Sequence, residues 1–406
     1  MADFGGDAEA FRLEARSWLE ENFPASLKKN PMGQMAAVMG GMEESADAKL
    51  WRERMGAKGW GVPTWPKQYG GGGLSRPEAR VLAEEMAKLG ARNPIGGMGV
   101  SMFGPTLLEY GTEAQRAKHI PPIAKGELRW CQGYSEPGAG SDLASLQTRA
   151  EDKGDHYLVN GQKIWTSGAQ FADWCYCLVR TDPKAKKHEG ISFLMIDMHS
   201  PGVEVRPILL INGTSPFCET FFTDVKVPKE NQWGPLNGGW TVGKRLLQFE
   251  RDSISAGLGG GNIGAAAATM GVEGYAKKYV GLDESGRLSD ADYRRRLIDH
   301  KMENQAFQLT VRRAAEEAKS NQGPSAASSI MKYAGAKIAQ ERTELIVEAM
   351  GQSGLGWEGD GFDRDELASL RAWLRSKANS IEGGSSEINL NVVSKRVLGL
   401  PDPKTN

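Results

Sequence analysis

The chain has 406 residues, with 50 basic and 51 acidic side chains, 40% hydrophobic residues and 51 glycines. That is enough apolar material for one to three packed domains, and it excludes a disordered or low-complexity protein. A net charge of −1 gives no long-range field for gathering nucleic acid or an anionic membrane, so neither is expected as a partner.

In chain order, Met1 to Phe11 is acidic and lacks a signal-peptide pattern, which predicts a cytoplasmic protein. Apolar residues then recur at helical spacing in three segments: Phe11, Trp18 and Leu19; Leu50, Trp51 and Met55; and Ala79 to Leu89. Breakers such as Gly59-Trp60-Gly61-Val62-Pro63 and Tyr69 to Gly73 separate them, and residues 1–128 read as a helical domain. After Arg129 the texture changes. Tyr157 to Trp165 reads as two β segments about an Asn160-Gly161 hairpin, and Trp174 to Arg180, Ile191 to Ile196 and Thr220 to Val227 read as further strands. Residues 129–238 therefore form a β domain. From Gly239 to the end, 239–406, the helical period returns, with Leu246 to Ser255, Met302 to Ala318, Ser325 to Met350 and Leu367 to Ala378 as candidates. The fold class is α+β and multidomain.

The cysteines are Cys131, Cys175, Cys177 and Cys218; they lack zinc-site spacing and are expected as buried free thiols in a reducing compartment. The uncharged run Ser253 to Val272 is about long enough to span a bilayer, but its six Gly, two Ser, Asn and Thr mark a buried helix instead. Within it, Gly259-x-Gly261-x-x-Gly264 has dinucleotide-turn spacing but follows a helical segment rather than a strand, so close helix packing explains the glycines better. Gly133-Tyr134-Ser135-Glu136-Pro137 lacks the second glycine of a nucleophilic-serine elbow.

The informative run is Gln132-Gly133-Tyr134-Ser135-Glu136-Pro137-Gly138-Ala139-Gly140-Ser141-Asp142, where small residues and hydroxyls at a strand end suit an oxygen-rich cofactor. With Tyr69-Gly70-Gly71-Gly72-Gly73, Asn160-Gly161-Gln162-Lys163-Ile164-Trp165-Thr166-Ser167, Asp224-Val225-Lys226-Val227-Pro228 and the stretch from Ala378 to Pro401, this chain resembles the acyl-CoA dehydrogenase family along nearly its whole length. The resemblance implies a helical N-terminal domain, a central β-barrel and a C-terminal four-helix bundle, with FAD between barrel and bundle. It implies a flavoprotein oxidoreductase of fatty acid or lipid catabolism, assembled as a homodimer or homotetramer and passing electrons to an electron-transfer flavoprotein.

By position in the family motifs, Gln132, Ser135, Ser141, Trp165, Thr166 and Ser167 match flavin contacts, as do Ser385 and Glu387 in the C-terminal loop and Gly351 after Glu348-Ala349-Met350. Ser141, Arg251, Gly383 and Gly384 match contacts to the acyl-CoA. Gly383 stands where many members carry the catalytic glutamate, and Glu382 lies one residue early. Some members instead carry the base on the first bundle helix before an arginine, which here reads Glu250-Arg251, so Glu250 is the expected base and Glu382 the second choice. Without the resemblance, Glu250 reads as a helix-face carboxylate paired with a nearby arginine. Burial beside an acyl chain would raise its pKa toward useful base strength. Two features depart from the family: Glu348 replaces a usual Gln, and Tyr279 to Arg287 replaces an Arg-x-x-Phe-Gly segment that reaches a neighbouring FAD. Alternative readings are an oxidase or monooxygenase using oxygen, or a non-catalytic partner in a hetero-oligomer. A base on the bundle helix permits long, branched or bulky acyl groups and selects none.

Overall fold

The computed structural model describes residues 6–259, 270–319 and 328–401. They form two compact units, one running to Ile208 and including Pro216–Phe249, the other joining Leu209–Ser215 to the chain from Glu250 onward.

The first unit opens with α1 (Gly6–Asn22), α2 (Ala36–Met39), α3 (Ala46–Lys58), α4 (Arg76–Leu89), α5 (Gly104–Tyr110) and α6 (Glu113–Ala124). Local chemistry sets several starts. Ser45 Oγ accepts the Ala48 N–H at 3.2 Å to begin α3, while Ser75 with Glu78 and Thr112 with Gln115 form reciprocal capping boxes at α4 and α6. The apolar stripes anticipated on α1 and α3 meet at Trp18 and Trp51, 6.0 Å between centroids, and residues just past the helix ends add edge contacts, Trp60 to Trp18 at 4.9 Å and Phe23 to Trp51 at 5.1 Å.

One sheet follows: β1 (Trp130–Gly133), β2 (Arg149–Asp152), β3 (His156–Ser167), β4 (Trp174–Arg180), β5 (Ile191–Asp197), β6 (Val203–Ile208), β7 (Phe217–Pro228) and β8 (Gln232–Trp233). Its order is β6-β7-β3-β2-β4-β5-β8, with β1 alongside β4 in parallel. β4 and β5 are buried on both faces, which is why they read as unbroken apolar runs. Tyr176 and Leu178 share a core with the helices, whereas Cys175, Cys177 and Val179 face Tyr157, Val159, Phe222 and Val225 across a second core. All four cysteines are buried free thiols, as expected.

The sheet is not the closed barrel anticipated. β6 pairs with β7 and β8 with β5, and among the described residues no ladder joins β6 to β8, so the two edges of the sheet stay unpaired with each other. The expected Asn160-Gly161 hairpin is also absent, because both residues lie inside the continuous strand β3. Here the strand shifts register against β7 between Val159 and Gly161, and the Asn160 amide crosses to Asp224, donating to its carboxylate at 3.0 Å and accepting its backbone N–H at 2.9 Å. A side chain at 161 would place Cβ 2.7 Å from Thr148 Cα, so the glycine answers a close approach by a neighbouring segment rather than a turn.

α7 (Gly239–Gly259) starts in the first unit; α8 (Val272–Tyr275), α9 (Ala291–Lys319), α10 (Ser328–Met350), α11 (Arg364–Ser376) and α12 (Ser386–Val392) belong to the second. α9 begins at Ala291 rather than Met302 because the Asp290 carboxylate accepts the Tyr293 N–H at 2.9 Å and Tyr293 and Leu297 extend the buried stripe. The expected start at Ser325 lies outside the described residues, which resume within α10 at Ser328, and α11 begins at Arg364 rather than Leu367. Residues 260–269, which hold Gly261 and Gly264 of the Gly-x-Gly-x-x-Gly spacing and most of the expected buried helix from Ser253 to Val272 beyond Gly259, lie outside the described residues. No described helix is long and apolar enough to cross a membrane.

Candidate active site

In the first unit the anticipated cofactor residues converge at the ends of β1 and β3. Gln132 is half-buried on β1, where its amide oxygen accepts the Tyr176 hydroxyl at 3.0 Å. Ser135 follows, and its carbonyl accepts the Ile164 N–H at 2.9 Å, which ties the loop after β1 to β3 next to Trp165. Under that loop Lys163 Nζ donates to Tyr134 O at 3.0 Å and to Glu136 Oε1 at 2.8 Å. Burial alone would push the Glu136 carboxyl up, but the nearby Lys163 charge and the hydrogen bonds it accepts hold it below the usual value. Ser141 is exposed at the tip of the loop.

Trp165 is held at φ 60° and is 53% exposed, its indole edge-on to Phe217 at 6.1 Å. Thr166 beside it is buried, and its Oγ1 has no hydrogen-bond partner among the described residues. Ser167 ends the strand, half-buried.

The second unit carries the other group. Arg375 grips Glu382 with two bonds, Nη1 to Oε1 at 3.2 Å and Nη2 to Oε2 at 2.7 Å. Gly383 and Gly384 follow at φ 64° and 96°. A left-handed backbone of this kind favours glycine, so position 383, where the resemblance places the base of many members, has neither a side chain nor a conformation suited to one. Ser385 caps α12 by accepting the Ile388 N–H at 3.3 Å, and Glu387 is exposed in its first turn. Gly351 sits at φ 56° where α10 ends. The unusual Glu348 is balanced within the chain by Arg296 at 2.7 Å. Tyr279 to Arg287 closes on itself through the Asp283 carboxylate, which accepts the N–H groups of Ser285 at 2.9 Å and Arg287 at 3.0 Å. Glu250 is half-buried on α7, and the Arg251 side chain lies outside the described residues.

Comparison with known proteins matches residues 7–127, 131–225 and 237–398 to the N-terminal, middle and C-terminal domains of acyl-CoA dehydrogenase. The chain belongs to the acyl-CoA dehydrogenase family. Acyl-CoA dehydrogenase IpdE1 of Mycobacterium tuberculosis is 34% identical over 97% of this chain and 98% of its own. Among solved structures, the Tcur3481-Tcur3483 steroid ACAD is 30% identical with a TM-score of 0.74, covering 98% of each chain. The ChsE4-ChsE5 complex from Mycobacterium tuberculosis is 29% identical with a TM-score of 0.71, covering 99% of this chain and 100% of that one.

Like its relatives, this acyl-CoA dehydrogenase is an oxidoreductase acting on CH–CH groups, with FAD as cofactor. The residues present fit that group. An exposed indole offers a flat stacking face, the spare Thr166 hydroxyl is a donor and acceptor in want of a partner, and side chains at Gly138 and Gly140 would meet nothing within 4 Å, leaving the loop backbone open.

Reading the sequence missed Arg375 as the partner of Glu382, and it missed the Lys163–Glu136 pair although both residues stood inside quoted motifs. A lysine at a buried strand position was the available signal, since it requires an acid nearby. Because Glu382 is committed to Arg375, Glu382→Gln should keep kcat within about tenfold of wild type in a dye-coupled assay, far from the roughly 10²–10⁴-fold loss that removing a general base brings.

Proposed function

We propose that this enzyme desaturates an acyl-CoA thioester between its α and β carbons, with Glu250 removing the α-proton. The observation that supports the reading is a left-handed glycine at position 383, where the resemblance places the base of many members, so the acid expected to act is Glu250, half-buried on α7. A thioester α-proton is weakly acidic, so its removal needs both a positioned carboxylate and donors for the enolate oxygen. The backbone N–H of Gly383 serves as one such donor, and Gly384, Arg251 and Ser141 contact the acyl-CoA. Gln132, Ser135, Ser141, Trp165, Thr166 and Ser167 hold the flavin, joined by Gly351, Ser385 and Glu387. FAD, when bound, accepts the β-hydride. The electrons then pass to an electron-transfer flavoprotein.

Similarity to a steroid ACAD supports a bulky, ring-bearing acyl group. Mass spectrometry of products from linear, branched and steroid-type acyl-CoA thioesters tests the substrate; turnover confined to short linear chains would refute it. Near-stoichiometric peroxide with air as sole acceptor would favour an oxidase instead. A second reading is supported by solved relatives whose names join two different chains: this protein is one subunit of a hetero-oligomer. That reading expects the chain purified alone to lack FAD or turnover and to regain both with a companion chain.

A further inference from the structure

Three buried charged residues fasten the loop 135–147, and the reaction just described uses none of them: Glu136 within the loop, and Lys163 and Arg180 on the strands beneath it. Lys163 is fully buried on β3 and holds the start of the loop through Tyr134 O and Glu136 Oε1. The Glu136 carboxylate also accepts the backbone N–H groups of Gln147 at 2.6 Å and Thr148 at 2.8 Å, so one side chain joins the beginning of the loop to its end. Arg180 on β4 adds bonds to Ala144 O at 2.7 Å and Leu146 O at 3.3 Å. Both ends are therefore pinned from below, while Gly138, Gly140, Ser141 and Asp142 between them are exposed.

A buried ion pair adds little net stability compared with well-packed apolar side chains, so stability is a weak reason to place one here; selecting a single geometry is a better one. We infer that Glu136 and Lys163 are positioning residues that hold the loop in its flavin-binding shape before FAD arrives. A loop already ordered loses less conformational freedom on binding, and affinity rises accordingly. The inference rests on reading this loop as a flavin contact.

Titrating the apoprotein with FAD tests it, using Glu136→Gln and Lys163→Met beside wild type. Each variant should bind FAD about tenfold or more weakly and alter the visible circular dichroism of the bound flavin, with apoprotein unfolding little changed. Unchanged affinity and dichroism, or weakening that merely tracks loss of folded apoprotein, overturns the inference. Should both variants fail to fold, hydrogen exchange on wild-type apoprotein decides: the Gln147 and Thr148 amides must be protected without FAD, and protection that appears only after FAD is added overturns it. A Ser135→Ala/Ser141→Ala double variant separates the two levels. If it binds FAD normally, the loop is not a flavin contact; if it binds weakly while Glu136→Gln and Lys163→Met do not, only the positioning role fails.

Discussion

Glu250→Gln should lower kcat by about 10²–10⁴-fold while leaving FAD bound, because the amide keeps the size of the carboxylate but cannot take a proton from the thioester. The change leaves the backbone of α7 untouched, so folding and cofactor content should match wild type. Two measurements isolate the chemical step: anaerobic stopped-flow bleaching of the flavin by acyl-CoA, and exchange of the substrate α-proton with deuterated water. Both should collapse together, since each begins with the same proton transfer. A fully active Glu250→Gln beside a dead Glu382→Gln would show that the Arg375-bound carboxylate is released in the complex and is the true base.

Gly239→Ala should damage the enzyme at the root of the same helix. A Cβ there would lie 2.5 Å from Ser192 C and 2.8 Å from Phe193 N, both backbone atoms of the buried strand β5. No rotamer change relieves a clash with backbone, so α7 must lift from the sheet. Gly243, one turn on, also lies close, its Cβ position 3.3 Å from Leu178 Cδ1. The expected loss of stability is about 1–3 kcal/mol, equivalent to a fall in melting temperature of roughly 2–4 °C per kcal/mol for units of this size. Glu250 rides on the same helix, about 16 Å along its axis at 1.5 Å per residue. A shift at the base of α7 therefore displaces the carboxylate, and a misplacement of about 1 Å can cost on the order of 10²-fold in rate. Thermal unfolding and kcat together check this; a wild-type melting temperature with wild-type kcat would mean that the sheet yields instead.

Much of the architecture is legible from local pattern. The stripes of α1, α3 and α4 and the apolar runs of β4 and β5 are long enough to carry a period, and the capping boxes reinforce two helix starts. The short strands β1, β2 and β6 escaped notice because four to six residues carry little periodic signal. Asn160-Gly161 misled for a different reason: its turn preference is local, whereas the contact that requires glycine comes from Thr148 on a neighbouring segment.

At the site, the sequence by itself determined that position 383 has no carboxylate and that Glu250 and Glu382 are the acids in reach of the family pattern. Only the tertiary structure supplied the charge partners, by bringing Arg375 onto Glu382 from seven residues away, and by burying Lys163 against Glu136 across 27. The reason is physical. A backbone preference or an apolar period is a property of neighbouring residues, but the partner of a charge is chosen by which segments share a buried space, and that is settled only when the chain has packed.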